Sequence, residues 1–270
     1  LTASAGGLTG SPVTFNANGT VGAATQVALE AGDNQTATVA SAVAVAPAVI
    51  VRDQFNNPVA GVEVTFAVAS GDGAVTGATQ TTNAAGIAAV GSWTLGNTAG
   101  ANTLTATSAG LIGRPVTFTA TGTFGAATQV ALEAGDGQAA TVATAVAIAP
   151  AVVVRDQFNN PVAGVEVTFA VTAGGGAVDP ATPVLTDVSG IATATSWTLG
   201  NTAGANTLSA SANGLIGSPL TFTATGTAGA ATQVALEAGD GQSATVGTAV
   251  AIAPTVIVRA QVNNPVPGVG

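Results

Sequence analysis

Residues Val49–Val68 read as a strand, a polar corner and a second strand, and the same block returns almost letter for letter at Val152–Val171 and, cut off, at Val256. That recurrence limits the fold more than any other feature, because the chain must build one unit repeatedly from the same local instructions. Val62, Val64, Phe66 and Val68 share one face and Glu63, Thr65 and Ala67 the other, the two-residue period of a half-buried strand. Val49 and Val51 alternate with Ile50 and Arg52 in the same way. Between the strands stand Asp53, Asn56, Asn57, Pro58 and Gly61, residues that bond their own backbone, preset φ or accept a positive φ. The connection Gln54–Gly61 has eight residues, more than common hairpin loops use. The two strands are therefore expected in opposite sheets, with Val49 and Val51 facing Val64 and Phe66 across a core.

The period is that of a domain. Gln26–Asp33 reappears at Gln129 and Gln233, at offsets of 103 and 104 residues, and the extra residue falls between Ala177 and Trp197, where a loop tolerates it. This is too long for a solenoid repeat and matches an autonomous domain. Within one period, strand signals fall at Gln26–Ala31, Thr36–Val45, Ala48–Asp53, Val62–Val68 and, more weakly, Ala74–Thr82. Ile87, Ala89, Trp93 and Leu95 then alternate, followed by Ala101–Thr107 and Pro115–Thr121. No segment reads as an amphipathic helix. Seven or eight short strands separated by turns every ~8–12 residues predict an all-β chain of tandem immunoglobulin-like β-sandwich domains. The expected boundaries are closing strands of one domain at 1–22, complete domains at 23–124 and 125–228, and opening strands of a truncated domain at 229–270. Linkers such as Gly122–Thr128 are short, which implies restrained neighbours.

The combination Val51-x-Asp53-x-x-x-Asn57-Pro58-Val59-x-Gly61-Val62-x-Val64-x-Phe66 resembles the core of bacterial immunoglobulin-like repeats of the invasin and intimin type. Gly86-x-Ala88, Trp93-Thr94-Leu95-Gly96, Leu104-Thr105-Ala106 and Pro115-Val116-Thr117-Phe118-Thr119-Ala120 resemble the same family, and the resemblance spans the whole chain. It implies tandem sandwiches in surface stalks, adhesins and some phage structural proteins, and it carries over no catalytic or ligand residue.

Composition narrows the function. The chain contains no His, Cys, Met, Tyr or Lys, which removes the usual bases, soft metal ligands and activated nucleophiles, and disulfides with them. Only 6% of residues are charged, the net charge is −9, and the four cations Arg52, Arg114, Arg155 and Arg259 are dispersed. Nucleic acid and anionic membrane surfaces both require clustered cations, so neither is an expected partner. The most apolar run, Val39–Val51, is broken by Pro47 and too short to span a bilayer, so no membrane insertion is expected.

Candidate residues each have a structural reading. Trp93 and Trp197 occupy equivalent places and could stack on a sugar, but sharing a face with Ile87 or Ile191 places them in a core or at a junction. Glu30 with Asp33, and Asp53 with Asn56, supply oxygens of the kind calcium takes, yet no third carboxylate lies near in sequence and calcium needs six or more oxygens. These acids read as turn and corner caps. A glycosidase pair would need two carboxylates facing across a cleft, and the same acids recur in every repeat as structural residues would. Asn18-Gly19-Thr20 and Asn34-Gln35-Thr36 match the glycosylation sequon. Gly71-Asp72-Gly73 and Gly174-Gly175-Gly176 are not phosphate loops, because no helix follows. The expected site list is empty: no catalytic, cofactor-binding or metal residue, no cofactor and no enzyme activity.

The expected role is structural: an extracellular, cell-surface spacer or filament-forming segment, with self-association into a fibre or surface array. An adhesin segment binding glycan or a host protein, or a phage fibre or decoration protein, are the alternatives. Leu1–Val21 matches Leu104–Phe124 and Thr232–Gly270 matches Thr128–Glu166, with Ala260 standing for Asp156. Both pieces lack middle strands and the chain reads as a window on a longer array, so Val13, Phe15, Val256 and Val258 are expected to pack against residues outside it.

Overall fold

The computed structural model describes residues 1–269, and among them there is no helix. The chain divides into two compact units, Leu1–Thr123 and Phe124–Gly270.

In the first unit a short exposed hairpin, β1 (Thr2–Ala3) with β2 (Val13–Thr14), precedes an immunoglobulin-like sandwich. One sheet carries β3 (Ala24–Ala31), β5 (Ala48–Asp53) and β9 (Ile87–Ala89), in the order β3-β5-β9. The other carries β4 (Gln35–Thr38), β6 (Glu63–Ser70), β8 (Thr79–Thr81), β11 (Gly100–Thr107) and β12 (Val116–Thr123), in the order β4-β12-β11-β6-β8. A side ribbon pairs β7 (Ala74–Thr76) with β10 (Ser92–Thr94). The two strands flanking the corner, β5 and β6, lie in opposite sheets, as the length of their connection requires. Between the sheets Val49, Val51, Val64, Phe66, Leu104 and Phe118 are all buried. The Phe66 and Phe118 rings pack 6.3 Å apart at 39°, a tilted pair that adds ~0.5–1.5 kcal/mol beyond its buried area.

The second unit repeats this plan. Its three-stranded sheet is β13 (Ala127–Ala134), β15 (Ala151–Asp156) and β19 (Ile191–Thr193). Its five-stranded sheet is β14 (Gln138–Thr141), β22 (Leu220–Thr227), β21 (Gly204–Ser211), β16 (Glu166–Ala173) and β18 (Val184–Leu185). The ribbon pairs β17 (Gly176–Asp179) with β20 (Ser196–Leu199). The extra residue relative to the first repeat lies in this β17–β18 region, within a loop. A last antiparallel pair follows, β23 (Ala231–Ala238) with β24 (Thr255–Ala260). Val234 and Val256 there are 69% and 65% exposed, whereas their counterparts Val130 and Val152 are 5% and 0% exposed. At the other end Val13 and Phe15 are also exposed, and Val258 is half-buried.

Three local expectations need correction. Thr36–Val45 is not one strand. After β4, Ala40 takes a φ of 58° and Ser41 turns back on Thr38; the chain then changes sheets, so that Ala42 bridges Thr94. Ala74–Thr82 is split at Gly77, with a φ of 62°, so β7 and β8 join different partners. The inward face after Gly86 is Ala88 and Val90, not Ile87 and Ala89. The phase then slips at Gly91, because β9 and β10 pair with different strands, and Trp93 and Leu95 point inward again.

Candidate functional site

The residues that sequence reasoning singled out for chemistry gather at two structural places. The first is the corner. Asp53 Oδ1 accepts the N–H of Phe55 and of Asn57, each at 2.9 Å, and Oδ2 accepts the Gly22 N–H of the preceding linker at 2.9 Å. The Asn57 side-chain amide donates to Oδ2 at 3.0 Å. Asp53 is fully buried among these donors. The Asn57 amide, the Gly22 N–H and the backbone N–H groups of Asn57 and Phe55 outweigh desolvation and hold its carboxyl at about 2. Asn56 adopts a φ of 71°, which asparagine tolerates, and its carbonyl accepts a bond from Arg52 at 3.2 Å. Thr82 closes the exit: its hydroxyl donates to the Val59 carbonyl at 2.8 Å and accepts the Val62 N–H at 2.9 Å.

The second repeat reproduces the corner. Asp156 accepts from Phe158, Asn160 and the linker Gly125, and although burial pushes its carboxyl up, these donors hold it below the ordinary value. Every donor around these carboxylates is an N–H, the polarity opposite to a cation cage. Among the described residues no three acidic side chains gather.

The second place is the edge of the five-stranded sheet. Asp33 Oδ1 accepts the Thr119 backbone N–H at 2.7 Å and the Thr119 hydroxyl at 2.9 Å. The backbone bond from Thr119 is the largest influence lowering its carboxyl. Asp136 holds Thr223 in the same way. Glu30 is exposed on its strand, and Asn34 is exposed beside Asp33, to whose Oδ2 its side-chain amide donates at 3.3 Å. Trp93 and Trp197 are fully buried in the two cores, away from any sugar-stacking surface, and their indole N–H groups meet no acceptor among the described residues.

Sequence reasoning missed a third place, the joint inside the second unit. The loop Gly200–Gly204 is shaped from behind by buried Asn206, whose Oδ1 accepts the Gly200 N–H and whose Nδ2 donates to the Gly204 carbonyl, both at 3.1 Å. Asn264, from the corner after β24, sits on this loop: its Oδ1 accepts the Ala203 N–H at 2.7 Å and its Nδ2 donates to the Asn201 carbonyl at 2.7 Å. It is 5% exposed. Beside it Val262 and Ala260 line a cleft with Thr141, Val142 and Thr144. The signal was present in the repetition of Gly-Asn-Thr-Ala-Gly, but nothing in one sequence says that a loop and a corner some sixty residues apart meet.

No protein-family model matches the chain, and no curated protein matches it. Solved structures do. The Escherichia coli adhesin FdeC is 18% identical over 92% of this chain and 78% of its own, with a TM-score of 0.60. InvD of Yersinia pseudotuberculosis is 18% identical over 86% of this chain and 69% of its own, with a TM-score of 0.51. The fold is thus that of the immunoglobulin-like domains of bacterial adhesins. Invasin, an integrin-binding bacterial protein, is 20% identical over 91% of this chain and 48% of its own, with a TM-score of 0.42.

Proposed function

We propose that this chain is a non-catalytic segment of a bacterial surface protein, a tandem array of immunoglobulin-like domains that serves as a spacer. The observation that carries the reading is the likeness of fold to FdeC over 92% of the chain, joined to a repeat whose Asp53 and Asp33 carboxylates are engaged in building the corner and the sheet edge. In this reading 23–124 and 125–228 are complete domains, and 1–22 and 229–270 belong to neighbouring ones. Reach is then set by the number of repeats. The outward rows of the five-stranded sheet, such as Thr103, Thr105 and Thr107, carry hydroxyls instead of charges, which leaves copies free to associate side by side. The test is to add or delete one repeat in the parent surface protein and measure projection length by electron microscopy of intact cells. A length that steps with repeat number is expected; an unchanged length overturns the spacer role.

A further inference from the structure

We propose that the corner Phe55–Asn57 is the docking point for a complete immunoglobulin-like repeat joined in line ahead of Val21, received through that repeat's Gly-Asn-Thr-Ala-Gly loop. The inference rests on the tandem-array reading and adds a specific joint to it. The template is in the same molecule: the corresponding corner residue Asn264 is seated on the loop Gly200–Gly204 through two 2.7 Å bonds, one donated and one accepted. The socket is held ready by Asn206, so the loop presents the Asn201 carbonyl and the Ala203 N–H without further ordering. In the first unit the plug is built but uncovered. Phe55 is 73% exposed and Asn57 is exposed, with its Nδ2 tethered to Asp53 and its Oδ1 accepting no hydrogen bond from the described residues. The template corner carries a valine, Val262, where the first unit has Phe55, and there Asn264 is 5% exposed on its loop whereas Asn57 is exposed. Asp53 also fixes Gly22, so the linker enters at the corner itself and an in-line repeat arrives there with its loop within reach.

The test uses the full chain and a version lengthened at its N-terminus by a copy of residues 24–103, which supplies the strands that precede Leu1 in the repeat pattern. Hydrogen exchange is read at the amide of the added copy of Ala99, the position equivalent to Ala203. At least tenfold slower exchange with Asn57 than with N57A is expected, while buried Trp emission reports that both versions remain folded. Because the chain has no cysteine, F55C gives a second readout that does not depend on Asn57. Its alkylation should slow at least tenfold in the lengthened chain. Equal alkylation in the two chains, or protection that N57A leaves unchanged, overturns the joint. A dimer of the unlengthened chain that N57A abolishes would make the occupant a second copy and overturn the in-line docking. None of these outcomes alters the step of projection length with repeat number, so the joint and the spacer reading fail separately.

Discussion

Asp53 is the residue on which most of the local structure depends, since one carboxylate orders the corner, its asparagine and the linker at Gly22. Its folded-state carboxyl, at about 2, lies below the unfolded value of 3.8. The folded state therefore binds the proton less readily than the unfolded chain. The stability contributed is fully present above about pH 4 and lost as pH falls toward 2. Acid titration followed by the emission of buried Trp93 and Trp197 should show loss of structure steepening in that window, and D53A together with D156A should flatten it. An unchanged acid limb in the double variant would remove the corner carboxylates as its cause. Ala260 is a natural version of that deletion, with Gly229 lying opposite its Cβ. A260D should accordingly slow exchange of the Gly229 amide, measured by hydrogen exchange; an unaltered rate would show that the carboxylate alone does not recruit the linker. The corner was readable from sequence because Asp, Asn, Pro and Gly each act on their own backbone. What Asp53 does to Gly22, thirty-one residues away, was not, since the partner is a main-chain N–H that any residue type carries.

At the scale of elements, the crossing from β5 to β6 was legible because eight corner residues cannot make a tight hairpin. The sheet change after β4 was hidden. Thr38-Val39-Ala40-Ser41-Ala42-Val43 intersperses small polar with apolar residues and carries no Gly or Pro to mark a break, so it fits an extended strand whichever sheet it joins. Nor does alternation reveal the slip at Gly91, where two short strands with different partners meet. What holds β4 is also non-local. It runs parallel to β12 over Gln35–Thr38, only four residues, and the Asp33 carboxylate clamps Thr119 at the head of that pairing. So short an edge pairing depends on its clamp. D33A should raise hydrogen exchange across Gln35–Thr38 at least tenfold while leaving the β6–β11 amides protected. Equal protection in the variant would show that the ladder alone suffices. Gly96 gives a steric counterpart: a Cβ there would run into the Gly71 carbonyl oxygen, backbone against backbone, so G96A should lower the melting temperature of the first unit.

For the whole molecule, the two cores draw on separate stretches of chain, Ala24–Ala120 in one and Ala127–Ala224 in the other, and each contains one tryptophan. A chain organised this way has no single unfolding free energy. Phe66 and Phe169 are equivalent, 1% and 2% exposed, each in tilted contact with a second phenylalanine. Truncating a buried phenylalanine to alanine costs ~3–5 kcal/mol, because the surroundings only partly fill the space it leaves. Domains of this size have ~5–15 kcal/mol in total. F66A should therefore bring the first unit close to its threshold. The two transitions can be separated with single-tryptophan variants, W197F reporting on the first unit through Trp93 and W93F on the second through Trp197. Placed on each background in turn, F66A should move the Trp93 urea midpoint strongly down and the Trp197 midpoint little; F169A should do the reverse. The costs should add within ~0.5 kcal/mol in the double variant, as for distant sites without shared partners. A shift of both tryptophan signals by either single substitution would mean that the repeats unfold as one cooperative body, and repeat number would then set stability as well as reach.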